Sequence, residues 1–412
     1  MSASTVAGRV RAFVEATWRP DATLAQWRDA LFDAGFAVPS WPARWGGLDM
    51  TASESLEVAN TLRELGVPGA PETVAMTLAA PTIVEHGPDE LRHRHLRACA
   101  TGAEVWCQLF SEPGAGSDLA GLTTRAELNG DEWVVSGQKV WNTGAAQAAF
   151  GLLLARTDWN APKHRGITCF VLPMRQSGVE VRPLRQMNGH SSFNEVFLDA
   201  ARIPRAAVIG EIDGGWAVAL TTLAHERRLT RTRSAPTRRD RDARVWREAV
   251  AESTANSEPH KWYPQRAGRV DLLVEHARVA GRSNDALVRQ AVASTIAMAR
   301  AARLGAERAA AARAAGRAPG AEGSLGKLAT SAIARSAAAT HSLIAGSSAL
   351  LSGPETSLAA VVAEIIVSVP GQSIAGGTDE IQRNIIGERV LGLPREPASD
   401  AHRPFCDLPR NL

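Results

Sequence analysis

At 412 residues with 45% hydrophobic content, the chain can bury a sizeable core in two or three structural units. Its formal net charge of +3 is small for that length, so charge balance alone gives no case for a nucleic acid or an anionic membrane surface as partner. Four widely spaced cysteines, Cys99, Cys107, Cys169 and Cys406, form no CxxC pair and are too few to staple such a fold; they read as reduced thiols, and no metal centre is expected. Residues 1–11 lack the apolar core of a signal peptide and no run approaches the ~18 apolar residues of a membrane span, so a cytoplasmic protein is expected.

Along residues 6–103 apolar side chains recur at helical spacing, broken by a loop at 38–48 that carries Pro39, Pro42, Gly46 and Gly47, which marks a helical domain over 1–104. The texture then changes. Short β-rich runs at 133–135, 152–155, 167–172 and 196–198, separated by Asn-Gly, Pro and Gly turns, predict a β domain over 105–212. Within it, 123–128 and 133–136 read as a hairpin around the turn at 129–132. Helical pattern returns over 213–393, with helices expected at 216–229, 286–315 and 381–391, the last one after the glycine turn at 375–377. Residues 229–283 are polar and arginine-rich without a sustained period, and read as a long loop with one short helix. The tail, 394–412, is rich in proline and charge and is expected to be loosely ordered. The fold class is α+β, mainly α.

Two clusters carry chemistry. The run QLFSEPGAGSD at 108–118 packs glycines and hydroxyls into a short turn that can present N–H groups to an anion or a ring edge. A plain surface turn has the same composition. It is neither a Walker loop nor a dinucleotide fingerprint. The second cluster, 139–145, sets Trp141 beside Thr143 and Gly144, so that a ring can stack on a flat heterocycle while a hydroxyl bonds a ring nitrogen. Tryptophan at a strand end is also a common core residue.

Together, in this order and at this separation, the clusters resemble the FAD-dependent acyl-CoA dehydrogenase family, and Gly376-Gly377-Thr378-Asp379-Glu380-Ile381-Gln382-Arg383 resembles its C-terminal signature. The flavour is that of the actinobacterial branch acting on lipid and sterol side chains. The resemblance implies an N-terminal helical domain, a middle β-barrel-like domain and a C-terminal four-helix bundle, with FAD between sheet and bundle. It places Gln108, Phe110, Ser111, Gly116, Ser117, Trp141 and Thr143 at the flavin and its diphosphate, and Thr378 and Glu380 at FAD from the C-terminal side. Ser117, Arg227 and Gly377 fall to the acyl-CoA substrate. An electron-transfer flavoprotein as acceptor, and a homo- or hetero-oligomer (dimer or tetramer) with apolar faces such as 343–351 buried, are implied as well.

Removing an α-proton from a thioester needs a carboxylate opposite the flavin. Many members of the family place a glutamate immediately before the Gly-Thr of the C-terminal motif, where this chain has Gly376. A second family solution puts the glutamate on the first long helix of the C-terminal domain, directly before an arginine, and Glu226-Arg227 matches it. Glu226 is therefore the expected base, with its pKa raised in an apolar acyl pocket. The competing reading makes it a solvated residue paired with Arg228 or Arg231. Gly376 keeps the role of its main chain, an N–H donated to the thioester oxygen. Glu112 reads as structural, and His225 as pointing away from the base.

The chain departs from the family in lacking an Arg-x-x-Phe-Gly stretch after the base helix. In its place stand Arg227, Arg228, Arg231 and Arg233, followed by Arg238, Arg239, Arg241, Arg244 and Arg247. These could supply FAD or CoA phosphates, touch a partner subunit, or merely be solvated. Interspersed Asp240, Asp242 and Glu248 weigh against nucleic acid. The alternative function is a non-dehydrogenating flavoprotein of the same fold, either a silent subunit of a hetero-oligomer or a nucleic-acid-associated relative.

Overall fold

A computed structural model describes residues 5–226, 239–240, 242–315, 317, 320–351, 353, 356–395, 397 and 402–409. The chain divides into two compact units: residues 1–184, 191–259 and 398–412 form the first, residues 185–190 and 260–397 the second.

The first unit opens with helices α1 (Val6–Thr17), α2 (Leu24–Asp33), α3 (Ala52–Glu64), α4 (Ala80–His86) and α5 (Asp89–Thr101). Thr23 and Thr51 start α2 and α3 with reciprocal capping boxes to Gln26 and Glu54. A π-helical turn, Ala75–Ala79, leads into α4, where Pro81 sits at the helix start and needs no N–H partner. The sheet follows: β1 (Trp106–Leu109), β2 (Arg125–Asn129), β3 (Glu132–Thr143), β4 (Phe150–Arg156), β5 (Ile167–Pro173), β6 (Val179–Leu184), β7 (Phe193–Pro204) and β8 (Val208–Ile209). Its order is β6-β7-β3-β2-β4-β5-β8, with β1 added in parallel to β4. The expected hairpin is β2 and β3, paired from Asn129–Glu132 to Arg125–Ser136, with Gly130 at φ 64 in its turn. Strands β4 and β5 are buried almost throughout, as central strands covered on both faces must be, whereas β7 alternates.

Helix α6 (Gly215–Glu226) packs on α4, the π turn and β5. Beyond it the sequence reading needs correction: 229–283, expected as a long loop with one short helix, holds α7 (Arg244–Ser257), α8 (Tyr263–Arg266) and α9 (Leu273–Val279) among its described residues. Arginines crowd the exposed faces of these helices, while single residues such as Val245, Trp246 and Leu273 supply the burial, too few to show a period. Helix α7 packs on α2, where Glu252 accepts both guanidinium ends of buried Arg28 at 2.7 and 2.9 Å.

The tail also differs from expectation. Phe405 is buried, its N–H reaches the Ala161 carbonyl at 3.0 Å, and the Arg156 guanidinium lies 3.5 Å from the centre of its ring. One buried aromatic and a short main-chain ladder seat a segment that composition assigns to solvent.

The second unit contains α8, α9, α10 (Ala286–Ala314), α11 (Glu322–Ala345), α12 (Val361–Ser368), α13 (Pro370–Ile374) and α14 (Asp379–Arg389). Its buried apolar residues gather in two small clusters, one around Leu273, Ala337 and Ile344, the other around Ala334, Ile365 and Val369. Segment 185–190 belongs here too: the His190 ring meets Glu364 at 2.9 Å, and the Asn188 amide donates to Ser368 at 3.1 Å. By length and composition alone, Val361–Arg389 is apolar enough to cross a membrane, which the sequence reading did not foresee. It is not one continuous helix, because the turn at 375–378 separates α13 from α14 and buried Asp379 stands just beyond it.

Candidate active site

In the first unit the two motifs, some thirty residues apart in sequence, lie side by side. The Val140 N–H donates to the Ser111 carbonyl at 3.0 Å, and the Asn142 amide to the Gln108 carbonyl at 2.7 Å. Buried Lys139 donates to the Phe110 carbonyl at 3.0 Å and to Glu112 at 2.8 Å. Glu112 also accepts from the Thr123 N–H and hydroxyl and from the Thr124 N–H, at 2.7, 2.9 and 2.9 Å. Burial pushes the Glu112 carboxyl up, but the Lys139 charge and hydrogen bond, with the Thr123–Thr124 donors, more than offset it and hold the pKa at about 2. Burial pulls Lys139 below its ordinary value despite Glu112. This pair fixes the loop against β3. Sequence alone leaves Glu112 outside the chemistry and gives Lys139 no role; Glu-Pro followed by a lone lysine on a strand is the signal for the pair.

Trp141 sits on an irregularity of β3, between Lys139 and Asn142, at φ 66. A bulky residue in that region is strained, and such strain concentrates at ligand sites. The residue is 57% exposed, and its ring touches Phe193 edge-on. Ser111 and Thr143 are partly buried, Gly116 and Ser117 exposed, and Phe110 is buried. Among the described residues, the hydroxyls of Ser111, Ser117 and Thr143 have no hydrogen-bond partner, and the buried Asn142 Oδ1 has none either. An exposed aromatic ring on a strand hydrogen-bonded to a loop that carries unspent hydroxyls fits a flat, polar-edged ring system such as a flavin.

Glu226 is the last described residue of α6 and is half-buried. The face of α6 that leads to it is tied to α4 by Thr82–Thr222 at 2.9 Å, His86–Thr221 at 2.8 Å and Glu85–His225 at 2.9 Å. Arg227, with Arg228, Arg231, Arg233, Arg238 and Arg241, lies outside the described residues. Of the other arginines, Arg244 pairs with Glu248, and Asp240 is bonded by the Trp18 indole.

In the second unit, Gly376 and Gly377 turn the chain at φ 69 and 83. The Thr378 hydroxyl caps α14 by accepting from the Ile381 N–H at 3.3 Å. Glu380, in the first turn of α14, is exposed and pairs with Arg383 at 3.2 Å. Asp379 is buried and anchors the turn to α11 through Lys327 at 2.9 Å and Arg335 at 2.6 Å. Burial would raise its pKa, but these two cations hold it well below the usual carboxylate range. Gln382, which the sequence reading passed over, is buried, and its amide donates to the carbonyls of Gly376 and Gly377.

Comparison with known proteins agrees with this layout. Residues 3–103, 107–201 and 267–391 match the N-terminal, middle and C-terminal domains of acyl-CoA dehydrogenases. The chain is 37% identical to acyl-CoA dehydrogenase FadE34 of Mycobacterium tuberculosis over 89% of its own length, and spans 46%, about half, of that relative. It is 32% identical to acyl-CoA dehydrogenase IpdE1 of the same organism, covering 90% of this chain and 88% of IpdE1. Among solved structures, the Tcur3481-Tcur3483 steroid ACAD is 25% identical at a TM-score of 0.65, covering 95% of this chain and 97% of that one. The ChsE4-ChsE5 complex from Mycobacterium tuberculosis is 26% identical at a TM-score of 0.64, covering 95% and 97%. The chain belongs to the acyl-CoA dehydrogenase family, a family of FAD-dependent oxidoreductases.

Proposed function

We propose that the chain dehydrogenates an acyl-CoA thioester to its trans-2-enoyl product, with Glu226 as the base. The observation that carries this is the placement of a half-buried carboxylate at the end of α6, directly after three side-chain ties to α4 that fix the helix's rotation. Glu226 takes the α-proton and must hold it on its carboxylate. An apolar acyl chain bound beside it would desolvate the carboxylate and favour proton uptake near neutral pH. The Gly376 N–H donates to the thioester oxygen, where negative charge develops as the proton leaves. Ser117, Gly377 and Arg227 are assigned to the substrate.

Ser111, Ser117, Trp141 and Thr143, with Gln108, Phe110 and Gly116 shaping the loop, are assigned to FAD, as are Thr378 and Glu380. When bound, FAD supplies the acceptor for the hydride from Cβ. Trp141 gives that ring a face to stack on, and Thr143 a hydroxyl for its edge.

The acyl group we assign is bulky or ring-bearing, supported by the likeness to the Tcur3481-Tcur3483 steroid ACAD. Oligomerisation is proposed as well. Leu350 and Leu351 are exposed in the second unit, a related structure is the ChsE4-ChsE5 complex, and FadE34 is about twice as long as the stretch matched here. An electron-transfer flavoprotein is the proposed acceptor. Three free cysteines buried in the first unit favour a cytoplasmic setting.

One observation favours a second reading, a silent subunit: Gly376 stands where many members of the family carry their glutamate. Anaerobic titration of the FAD-loaded chain with straight-chain and steroid-ring acyl-CoAs separates the two. Bleaching of the flavin band by ring-bearing thioesters supports the dehydrogenase. Retained flavin that nothing bleaches supports the silent subunit, and failure to take up FAD refutes both.

A further inference from the structure

The turn at 376–378 carries three unspent main-chain donors. Among the described residues, the N–H groups of Gly376, Gly377 and Thr378 have no hydrogen-bond partner. What orients the last two is a side chain from the next turn of chain. Gln382, 1% exposed on α14, aims its Nε2 at the Gly376 carbonyl, 3.1 Å away, and at the Gly377 carbonyl, 3.4 Å away.

Peptide geometry turns this contact into a direction. The Gly376 carbonyl shares its peptide plane with the Gly377 N–H, and the Gly377 carbonyl with the Thr378 N–H. No peptide here is cis, so carbonyl and N–H lie on opposite sides of each plane. Drawing both carbonyls towards Gln382 therefore turns both N–H groups away from it. Glycine is needed for this at Gly377, where φ is 83 and an added Cβ would come within 2.6 Å of the Gln382 amide nitrogen. At Gly376 an added Cβ would meet nothing within 4 Å, so that side of the turn is left open.

Fold stability does not account for Gln382. Its Oε1 is buried without a partner, and a half-satisfied amide is a poorer core residue than methionine or leucine of similar size. The turn itself is anchored independently: Lys327 donates to the Ser373 carbonyl and Asp379, and the Ser331 hydroxyl to the Gln372 carbonyl.

We infer that Gln382 is a positioning residue: by clamping the carbonyls of Gly376 and Gly377 it presents the Gly377 and Thr378 N–H groups to the substrate's thioester oxygen, as donors additional to the Gly376 N–H assigned above. This rests on the acyl-CoA reading above but not on Glu226 being the base. Preorganised donors aimed at developing charge act through orientation, so a residue that fixes their direction acts on the chemical step without touching the substrate.

The test uses the FAD-loaded full chain with 15N-labelled glycine and trans-2-enoyl-CoAs, straight-chain and steroid-ring, which bind without turning over. In the wild type, the Gly377 amide proton shifts downfield when an enoyl-CoA binds. In Gln382→Met, which keeps the volume and removes the donor, that shift is lost, and kcat falls roughly tenfold or more with KM within about threefold. Gln382→Glu, isosteric should the Met variant fold poorly, loses kcat at neutral pH and regains part of it on acidification, when a protonated carboxyl can donate again; a structural role gives no such pH rescue. The inference is overturned if the Gly377 shift is the same in both variants as in the wild type, or if the wild-type amide does not respond to enoyl-CoA. Loss of the base reading shows elsewhere, as an active Glu226→Gln, and leaves these amide shifts unaffected.

Discussion

Replacing Lys139 by methionine tests the joint that holds the two motifs together. Lys139 is fully buried, and its ammonium reaches both Glu112 and the Phe110 carbonyl. The substitution keeps the volume and removes the charge, leaving the Glu112 carboxylate with three neutral donors from Thr123 and Thr124. Breaking one side of a buried ion pair costs about 3–5 kcal/mol. The remaining donors place the cost near the lower end, about 3 kcal/mol, which at about 2 °C per kcal/mol for a unit of this size lowers the melting midpoint by roughly 6 °C. The pH dependence should change with it. The folded pKa of Glu112, about 2, lies below its ordinary value of 4.5, so its contribution is fully present above 4.5 and lost as pH falls towards 2. In Lys139→Met the carboxyl is no longer held down, and that acid-side loss should flatten. Differential scanning calorimetry from pH 7 to pH 3 measures both effects. A variant that melts within 1 °C of wild type with an unchanged acid profile would refute the idea that this pair carries the joint.

Three further outcomes follow from particular contacts. His276 and His341 meet through their Nδ1 atoms at 2.9 Å in the core of the second unit, and burial pulls the His276 pKa from 6.5 to about 4. The unfolded chain binds more protons between those values, so stability should fall as pH drops from 6.5 to 4, and His276→Gln should flatten that segment of a thermal-midpoint profile. Trp141→Gly should relieve backbone strain at φ 66, leaving apo stability unchanged or raised by about 1 kcal/mol while flavin retention falls; spectra and melting of the same preparation read both. Phe405→Ala should cost about 3 kcal/mol and open the tail to limited proteolysis, because the ring is buried beneath Arg156.

Much of this layout was legible in sequence where local chemistry decides it. The β2–β3 hairpin follows from Asn129-Gly130, and α10 from an alanine-rich run whose expected bounds differ from the observed ones by a single residue. Other features depend on distant partners. The helices α7 to α9 show no period because each buries only a few residues against its neighbours. The tail looks disordered until Arg156 is seen over Phe405. At the candidate site, Trp141 and Ser111 stand out as residue types, but the strained backbone of Trp141 and the main-chain bond to Ser111 are matters of register. Gln382 could not be singled out, because a glutamine on a charged helix becomes informative only when its amide is seen against two glycine carbonyls.

The most direct measurement is the anaerobic reduction of bound flavin by an acyl-CoA, comparing wild type with Glu226→Gln by stopped-flow absorbance. Removing the base should slow the bleaching phase by about 10²–10⁴-fold while flavin content and acyl-CoA binding stay near wild type. A Glu226→Gln variant that bleaches at the wild-type rate would contradict the central assignment.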